Sequence, residues 1–130
     1  MADKPKILVM DDEASIRKAL SIILSMSGYE CLSASDGKEA IDVYKKQQLE
    51  KKPIAAVILD LNVPVGMMPG KEAAKELLLW DKKVKLIASS GDSQDEVVTN
   101  FKSFGFRAVL IKPYDIDQLK IILETTIKEE

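Results

Sequence analysis

The sequence contains no histidine, and this absence restricts the chemistry that it can support. Without imidazole there is no serine–histidine–aspartate relay, no histidine-based metal cage and no histidine general base. Any reaction must therefore depend on carboxylates, lysine, hydroxyl groups and a bound ion. Oxygen ligands of this kind favour a hard cation such as Mg²⁺.

The sequence also has only one cysteine, a small net charge and no long apolar segment. The single Cys31 excludes an internal disulfide and favours a reducing, cytoplasmic location. A net charge of -2 provides no basic field for nucleic acid or an anionic membrane. No apolar run is long enough to cross a bilayer, and the N-terminus lacks the apolar segment of a signal peptide. The length predicts one domain, residues 1–130, that can bury a real core.

Residues 55–60 form the most informative stretch, in which five apolar residues run without alternation into Asp60. Such a run is typical of a strand that is buried on both faces of a parallel sheet. Because an isolated buried charge is very costly, we expect Asp60 at the carboxyl edge of the strand, where open α/β sheets bind ligands. Considered alone, Asp60 could equally end the strand and begin a turn that contains Pro64.

Strand and helix patterns alternate five times along the chain. The strand patterns cover residues 6–10, 29–34, 55–60, 84–89 and 107–112. Five helical patterns accompany these strands. The first ends at Gly28, the second starts at residue 35, the third covers residues 71–80, the fourth covers about residues 93–104, and the fifth starts after the N-cap Asp115. In the first helix we expect Arg17 and Lys18 to face out and a buried stripe of Ile16, Ala19, Leu20, Ile23 and Leu24. The alternation predicts an α/β fold, a doubly wound parallel five-stranded sheet with helices on both faces.

Polar side chains lie at the ends of four of these five strands: Asp11 and Asp12, Asp60, Ser90 and Lys112. Because the carboxyl ends of parallel strands meet at one edge of a sheet, we expect one site there. Three converging carboxylates raise each other's pKa unless a cation lies among them, and Mg²⁺ meets that need.

A carboxylate is also a competent nucleophile that can form an aspartyl phosphate. Phosphoryl transfer requires mainly in-line positioning and neutralisation of charge on the phosphoryl oxygens. We expect Mg²⁺, the Lys112 ammonium and the Ser90 hydroxyl to contact these oxygens. Each residue has a structural alternative: Asp12 or Glu13 could cap a helix, Ser90 could belong to a simple turn, and Lys112 could extend into solvent. The functional interpretation depends on their occurrence together.

These motifs resemble the receiver domain of two-component response regulators over essentially the whole chain. The matching elements are Asp11-Asp12 after the first strand, Asp60 with Pro64 four residues on, Ser90-Gly91 and Lys112-Pro113. The separations of thirty residues from Asp60 to Ser90 and twenty-two from Ser90 to Lys112 are typical of that family. The resemblance implies a flavodoxin-like (βα)5 fold with strand order 2-1-3-4-5.

The resemblance also implies what the acidic residues do. Asp60 would accept a phosphoryl group from the phosphohistidine of a sensor histidine kinase or a histidine phosphotransfer protein. Asp11, Asp12 and Asp60, with the backbone carbonyl of Asn62, would hold Mg²⁺. The missing histidine is consistent with this, because the donor comes from a partner.

Further positions acquire roles through the same resemblance. Lys112 would contact the phosphoryl group, and its peptide bond to Pro113 is usually cis in the family. Ser90 would move toward a phosphoryl oxygen as the conformational switch. Asn62 and Asp92 match positions that tune the lifetime of the phosphorylated form. Output would use the face of residues 93–130 to contact a downstream protein or a fused kinase module.

Two departures from the family pattern are visible in the sequence. Val109 occupies the position, three before Lys112, at which the family usually has an aromatic residue that turns inward on activation. The segment from Asp60 to Gly70 is about two residues longer than in many receivers and resembles receivers attached to hybrid histidine kinases. The chain could therefore be a stand-alone regulator or part of a longer kinase.

Two other functions remain open alternatives. A Mg²⁺-dependent aspartyl-phosphate phosphatase or phosphotransferase would need a second acid two residues after the nucleophile, where Asn62 stands. A degenerate module without phosphorylation would be expected to have lost one of Asp11, Asp12, Ser90 or Lys112. We expect no enzyme activity beyond phosphorylation and dephosphorylation of the domain itself.

Overall fold

The computed structural model describes residues 4–129, which form a five-stranded parallel sheet with helices on both faces. The strands are β1 (Lys6–Met10), β2 (Glu30–Ala34), β3 (Ile54–Asp60), β4 (Leu86–Ser90) and β5 (Ala108–Ile111). Their order is β2-β1-β3-β4-β5, and each neighbouring pair is parallel. The predicted flavodoxin-like fold and its strand order are confirmed. Residues 1–3 and 130 of the predicted domain lie outside the described residues.

Five helices connect or follow the strands: α1 (Ala14–Met26), α2 (Gly37–Leu49), α3 (Gly70–Trp80), α4 (Glu96–Thr99) and α5 (Ile116–Lys128). The predicted N-cap of α5 is present, since the Asp115 carboxylate accepts a hydrogen bond from the Gln118 backbone and the Gln118 side chain accepts one in return. Among residues 4–129, no helix is both long and apolar enough to cross a membrane.

The unbroken apolar run of β3 is buried on both faces of the sheet. Because successive strand residues point to opposite faces, Val57 and Leu59 pack with α2 and α3, while Ala56 and Ile58 pack with α1 and α5. Water therefore reaches neither face of β3 from Ala56 to Leu59. The first polar side chain of the strand, Asp60, comes at its carboxyl end, at the edge of the sheet.

The prediction of a continuous helix over residues 93–104 is wrong. The helical residues are confined to α4 and to a separate 3₁₀ turn, Phe101–Phe104. The Asp95 carboxylate caps Val97 and so delays the helix start. Asn100 has φ -124° and ψ 37°, outside the helical region, and its side-chain amide donates to the Glu96 carbonyl. Such side-chain bonds compete with the helical backbone pattern, which explains the break.

The first helix also differs from its predicted pattern. Ala19 is exposed, because it lies at the edge of a buried stripe centred on Leu20 and Leu24. Arg17 is half-buried, and its guanidinium donates a hydrogen bond to the Asp11 carbonyl at 2.6 Å. The arginine is therefore tied to the carboxyl edge of the sheet instead of facing water.

Gly70 allows α3 to begin directly against β3. A Cβ at this position would lie 2.6 Å from the carbonyl oxygen of Asp60 and 3.0 Å from its carbonyl carbon. Because backbone atoms cannot move aside as a flexible side chain can, Gly70→Ala is expected to lower the free energy of unfolding by about 1–3 kcal/mol in urea denaturation. Gly91→Ala is the matched control, since open space surrounds Gly91, and a change below about 0.5 kcal/mol is expected there. Equal losses in the two variants would contradict this explanation.

Candidate functional site

Strand register places two of the predicted acidic residues side by side. Met10 of β1 pairs with Leu59 of β3, so the residues that follow them, Asp11 and Asp60, leave the sheet at the same level. The Asp11 backbone N–H donates to the Ala34 carbonyl, which holds the end of β1 in the sheet for one further residue. The sheet itself therefore brings these carboxylates together.

Asp11, Asp12 and Asp60 form an acidic cluster. Each contributes one carboxylate oxygen to a group whose members lie within 4.8 Å of one another. Asp11 is 3% exposed and Asp60 is 2% exposed, whereas Asp12 is half-buried. The prediction that the three carboxylates converge is thus met by the geometry.

The Asp60 carboxylate is held by one hydrogen bond at each oxygen. Oδ1 accepts from the Asn62 backbone N–H at 2.9 Å, and Oδ2 accepts from Lys112 Nζ at 3.2 Å. Burial raises the pKa of Asp60, and the Asn62 N–H and the Lys112 charge oppose this rise only in part. The folded protein therefore disfavours the negative charge of Asp60. A cation bound in addition to the Lys112 ammonium would stabilise that charge.

Lys112 links the two buried acids. Its Nζ lies 3.0 Å from Asp11 Oδ2 and 3.2 Å from Asp60 Oδ2, and its backbone N–H donates to the Ser90 carbonyl at 2.8 Å. Burial disfavours the ammonium, but the hydrogen bond to Asp11 and the charges of Asp60 and Asp11 outweigh it and raise the pKa of Lys112. The side chain therefore stays cationic and points at the carboxylates.

The acidic cluster fits a divalent cation. Its three carboxylates face the single Lys112 ammonium, which bonds only Asp11 and Asp60. Within residues 4–129 the Asp12 side chain makes no ion pair or hydrogen bond. Uncompensated carboxylate oxygens that converge in this way are the donor set that Mg²⁺ prefers.

Ser90 lies beside this cluster with its hydroxyl group buried. Its Oγ accepts a hydrogen bond from Asn62 Nδ2 and another from the Asp92 backbone N–H, both at 3.0 Å. Among residues 4–129, the only acceptor within reach of the Ser90 hydroxyl proton is the Asp92 carbonyl, at a long 3.4 Å. The Asp92 side chain points away and accepts from the Gln94 backbone. The predicted switch residue Ser90 and the predicted modulating residues Asn62 and Asp92 are thus neighbours, linked through the Ser90 hydroxyl.

The remaining predicted positions, Val109 and Pro113, lie on and after β5. Val109 is half-buried, pairs with Ala88 and packs against the core cluster of α2 and α3. It also lines a shallow cavity of about 270 Å³ with Ile111 and residues of α5. The peptide bond between Lys112 and Pro113 is cis, as the resemblance implied.

Three residues near the site were missed by the sequence analysis. Arg17 donates to the Asp11 carbonyl. The sequence did hold a sign of this contact, because a cation near a helix N-terminus is disfavoured by the helix dipole unless another group holds it there. Ser89 buries a hydroxyl that has no hydrogen-bond partner among residues 4–129. Tyr114 follows the Lys112-Pro113 pair; burial raises the pKa of its phenol, and the Lys112 charge opposes this rise. No pattern in the sequence distinguished Ser89 or Tyr114.

The raised pKa of Asp60 determines the sign of its effect on stability. The stability of the folded protein that comes from neutral Asp60 is fully present below the ordinary pKa of 3.8. It is lost as pH rises through the higher pKa that Asp60 has in the folded protein. In metal-free buffer at neutral pH, Asp60→Asn is therefore expected to raise the free energy of unfolding by about 1–2 kcal/mol. Urea denaturation should show this gain shrinking toward pH 3.8, while Asp117→Asn, at an exposed carboxylate, changes little. A gain that grew in acid would contradict the assignment.

The parallel sheet and its acidic edge define a class of protein, the flavodoxin-like domains that carry a carboxylate pocket at the ends of their strands. The family model for the response regulator receiver domain matches residues 7–124, and the chain belongs to this family. It is a phosphoacceptor module of two-component phosphorelay signalling, as the sequence predicted. Receiver domains bind Mg²⁺ at the acidic pocket.

Relatives share this domain over most of their length or contain it as one part. Sporulation initiation phosphotransferase F of Bacillus subtilis is 28% identical over 115 residues, which span 88% of the chain and 87% of that protein. Chemotaxis protein CheY of Thermotoga maritima is 33% identical over 110 residues, 84% of the chain and 86% of that protein. The structure of Thermotoga maritima TrrA in complex with Mg²⁺ and BeF has a TM-score of 0.76 and 28% identity, covering 94% of the chain and 98% of TrrA. Among longer relatives, the chain spans 16% of a sensor kinase/phosphatase and 49% of a transcriptional regulator.

Proposed function

We propose that Asp60 is the phosphoacceptor and that residues 1–130 form one receiver domain whose interaction face changes on phosphorylation. Asp11, Asp12 and Asp60, with the Asn62 backbone carbonyl, would hold Mg²⁺. The observation that carries the proposal is the convergence of three carboxylates and one lysine at the carboxyl edge of the sheet. Bound Mg²⁺ would neutralise charge on the incoming phosphoryl group.

In the proposed reaction an Asp60 carboxylate oxygen attacks phosphorus, and the bond from phosphorus to the donor's imidazole nitrogen breaks. The imidazole leaves with the electron pair of that bond and takes up a proton. Lys112 Nζ, 3.2 Å from Asp60 Oδ2, is placed to transfer its hydrogen bond to a phosphoryl oxygen as the carboxylate charge is lost. In autodephosphorylation water attacks the same phosphorus, the bond from phosphorus to the Asp60 oxygen breaks, and inorganic phosphate leaves with the oxygen and protons of the water, which restores the carboxylate.

Ser90 is the proposed switch. Its Oγ is fixed as an acceptor by the Asn62 amide and the Asp92 N–H, whereas its own proton has only a 3.4 Å contact. The hydroxyl can therefore donate to a phosphoryl oxygen without losing a strong bond. Asn62 and Asp92 would then affect the lifetime of the phosphoryl group, through the Asn62 amide and through the Asp92 backbone.

The proposed donor is a sensor histidine kinase or a histidine phosphotransfer protein, and the proposed reader is a downstream protein or a fused kinase module. The reader would contact the face of residues 93–130, where Val109, in place of an aromatic residue, would limit the usual ring movement. The free thiol of Cys31 is compatible with the proposed cytoplasmic location.

The phosphatase alternative is disfavoured by Asn62. An amide cannot act as a general acid, and this one is engaged with Ser90 Oγ at 3.0 Å. The degenerate-module alternative is disfavoured because the acids, the lysine and the serine are all present, with Lys112 bonded to Asp60 and Ser90 bonded to Asn62. The acceptor proposal gives a chemical role to every one of these groups, whereas the degenerate module gives a role to none of them.

Beryllofluoride, which imitates the aspartyl phosphate, provides the test. We expect backbone NMR shifts at Asp60, Ser90 and Lys112 when beryllofluoride is added with Mg²⁺, and none when Mg²⁺ is omitted. Shifts that continue into α4 and α5 support the proposed output face. Shifts that stay within the site would indicate phosphorylation without the usual switch and would point to Val109, and an absence of shifts would make the degenerate module the better explanation.

A further inference from the structure

A groove lies between α3, which is outside the proposed output face, and the 3₁₀ turn Phe101–Phe104, which belongs to that face. Its volume is about 570 Å³. The groove has a polar rim and an apolar floor, formed chiefly by Lys71, Lys75, Leu78, Leu79, Lys102 and Phe104. It exists because the helix predicted over residues 93–104 breaks at Asn100, which leaves the 3₁₀ turn to pack beside α3.

The charge of the groove is of one sign. Its rim carries Lys71, Lys75 and Lys102, and no carboxylate is among the residues that line it. None of these lysines makes an ion pair within residues 4–129, where the paired cations are Lys6, Arg107 and Lys112. Three unneutralised ammonium groups around one depression attract an anionic partner.

The floor of the groove is apolar and accessible. Leu79 is 80% exposed and lies on the solvent-facing side of α3. Phe104 is half-buried, and the Lys71 ammonium lies 4.9 Å from the centre of its ring. Gly105 and Leu78 close the floor so tightly that a Cβ at Gly105 would overlap Leu78 Cδ1. A partner with only charged groups would leave this surface uncovered.

We propose that this groove, defined by the six residues above, docks an acidic amphipathic segment of a protein partner. Carboxylates of the segment would pair with the rim lysines, and a large apolar side chain would cover Leu79 and Phe104. The surface is concave and local, and the protein carries a net charge of -2, so extended nucleic acid and a flat anionic membrane fit it less well. Docking here does not depend on Asp60.

A designed helical peptide rich in glutamate and leucine, carrying a fluorescent label, is the test ligand, with a second peptide that has glutamine in place of every glutamate. We expect the acidic peptide to bind in anisotropy titrations at low salt and the glutamine peptide to bind about tenfold more weakly. NMR shifts should fall on α3 and residues 101–105. Added salt should weaken the acidic peptide selectively.

Variants separate the two parts of the groove. The double variant Lys71→Glu and Lys102→Glu is expected to weaken the acidic peptide by about tenfold or more, and Leu79→Ser should weaken both peptides. The control, Lys38→Glu with Lys46→Glu, makes the same charge change at exposed positions of α2 and should leave binding unchanged. The proposal would be overturned by equal losses of affinity in the two double variants, by NMR shifts elsewhere in the protein, or by no binding of the acidic peptide. Preferential binding to phosphatidylserine vesicles or to an oligonucleotide would also overturn it.

Discussion

Asp60→Asn is expected to abolish covalent phosphorylation of the protein. An amide has nearly the shape of a carboxylate but is not a nucleophile for phosphorus, so the chemistry is removed while the Asn62 N–H can still donate to the remaining oxygen.

Phosphoramidate, a small donor with a bond from nitrogen to phosphorus, allows the measurement without a partner protein. Intact mass analysis should show one phosphoryl group on the wild type in the presence of Mg²⁺ and none on Asp60→Asn. Asp117→Asn serves as the control for loss of a carboxylate and should be modified as the wild type is. Wild-type labelling of Asp60→Asn, with a hydroxylamine-sensitive bond, would refute the assignment of the acceptor.

Lys112→Met is expected to slow phosphorylation by about 100-fold or more, the typical effect of removing one preorganised charge donor from a transition state. The same change should strengthen Mg²⁺ binding. In the wild type the ammonium occupies oxygens of both Asp11 and Asp60 and reduces the negative charge of the cluster. Removing it frees these oxygens, so rate and metal affinity are expected to move in opposite directions.

Calorimetric titration with Mg²⁺ and phosphoramidate labelling rates together test this expectation. The rates are compared at saturating Mg²⁺, because loss of the ammonium leaves two buried acids unpaired and is expected to destabilise the metal-free variant by about 3 kcal/mol. Lys120→Met, at an exposed position of α5, is the control and should change neither quantity. A parallel loss of metal affinity and rate would mean that Lys112 only maintains the structure of the site.

The helical pattern of residues 93–104 shows how far periodicity alone can predict structure. Val97, Phe101 and Phe104 have helical spacing and do pack toward the core, but the backbone between them is not continuously helical. The Asp95 carboxylate accepts a hydrogen bond from the Val97 N–H and delays the start of the helix, and the Asn100 amide donates to the Glu96 carbonyl where the helix ends. Periodicity reports which side chains are buried, whereas the backbone follows the local competition for hydrogen bonds.

The position of Arg17 shows a second limit. Its spacing on α1 indicated a solvent-facing residue, yet the guanidinium reaches the Asp11 carbonyl at 2.6 Å. A long side chain can extend well beyond the face of its own helix, so its partner depends on which element lies within reach. The same reason applies to Lys71, whose ammonium lies over Phe104, a residue distant in sequence.

The sequence alone determined the alternating strands and helices, the parallel sheet and the choice of Asp60 as the central residue. These features follow from apolar runs, turn residues and the cost of burying a charge, all of which act along the chain. The tertiary structure decided the hydrogen bond from Asn62 to Ser90, the contact of Lys112 with two acids and the lysine-rimmed groove beside Phe104. Each of these depends on the distance between side chains from different elements, and only packing sets that distance.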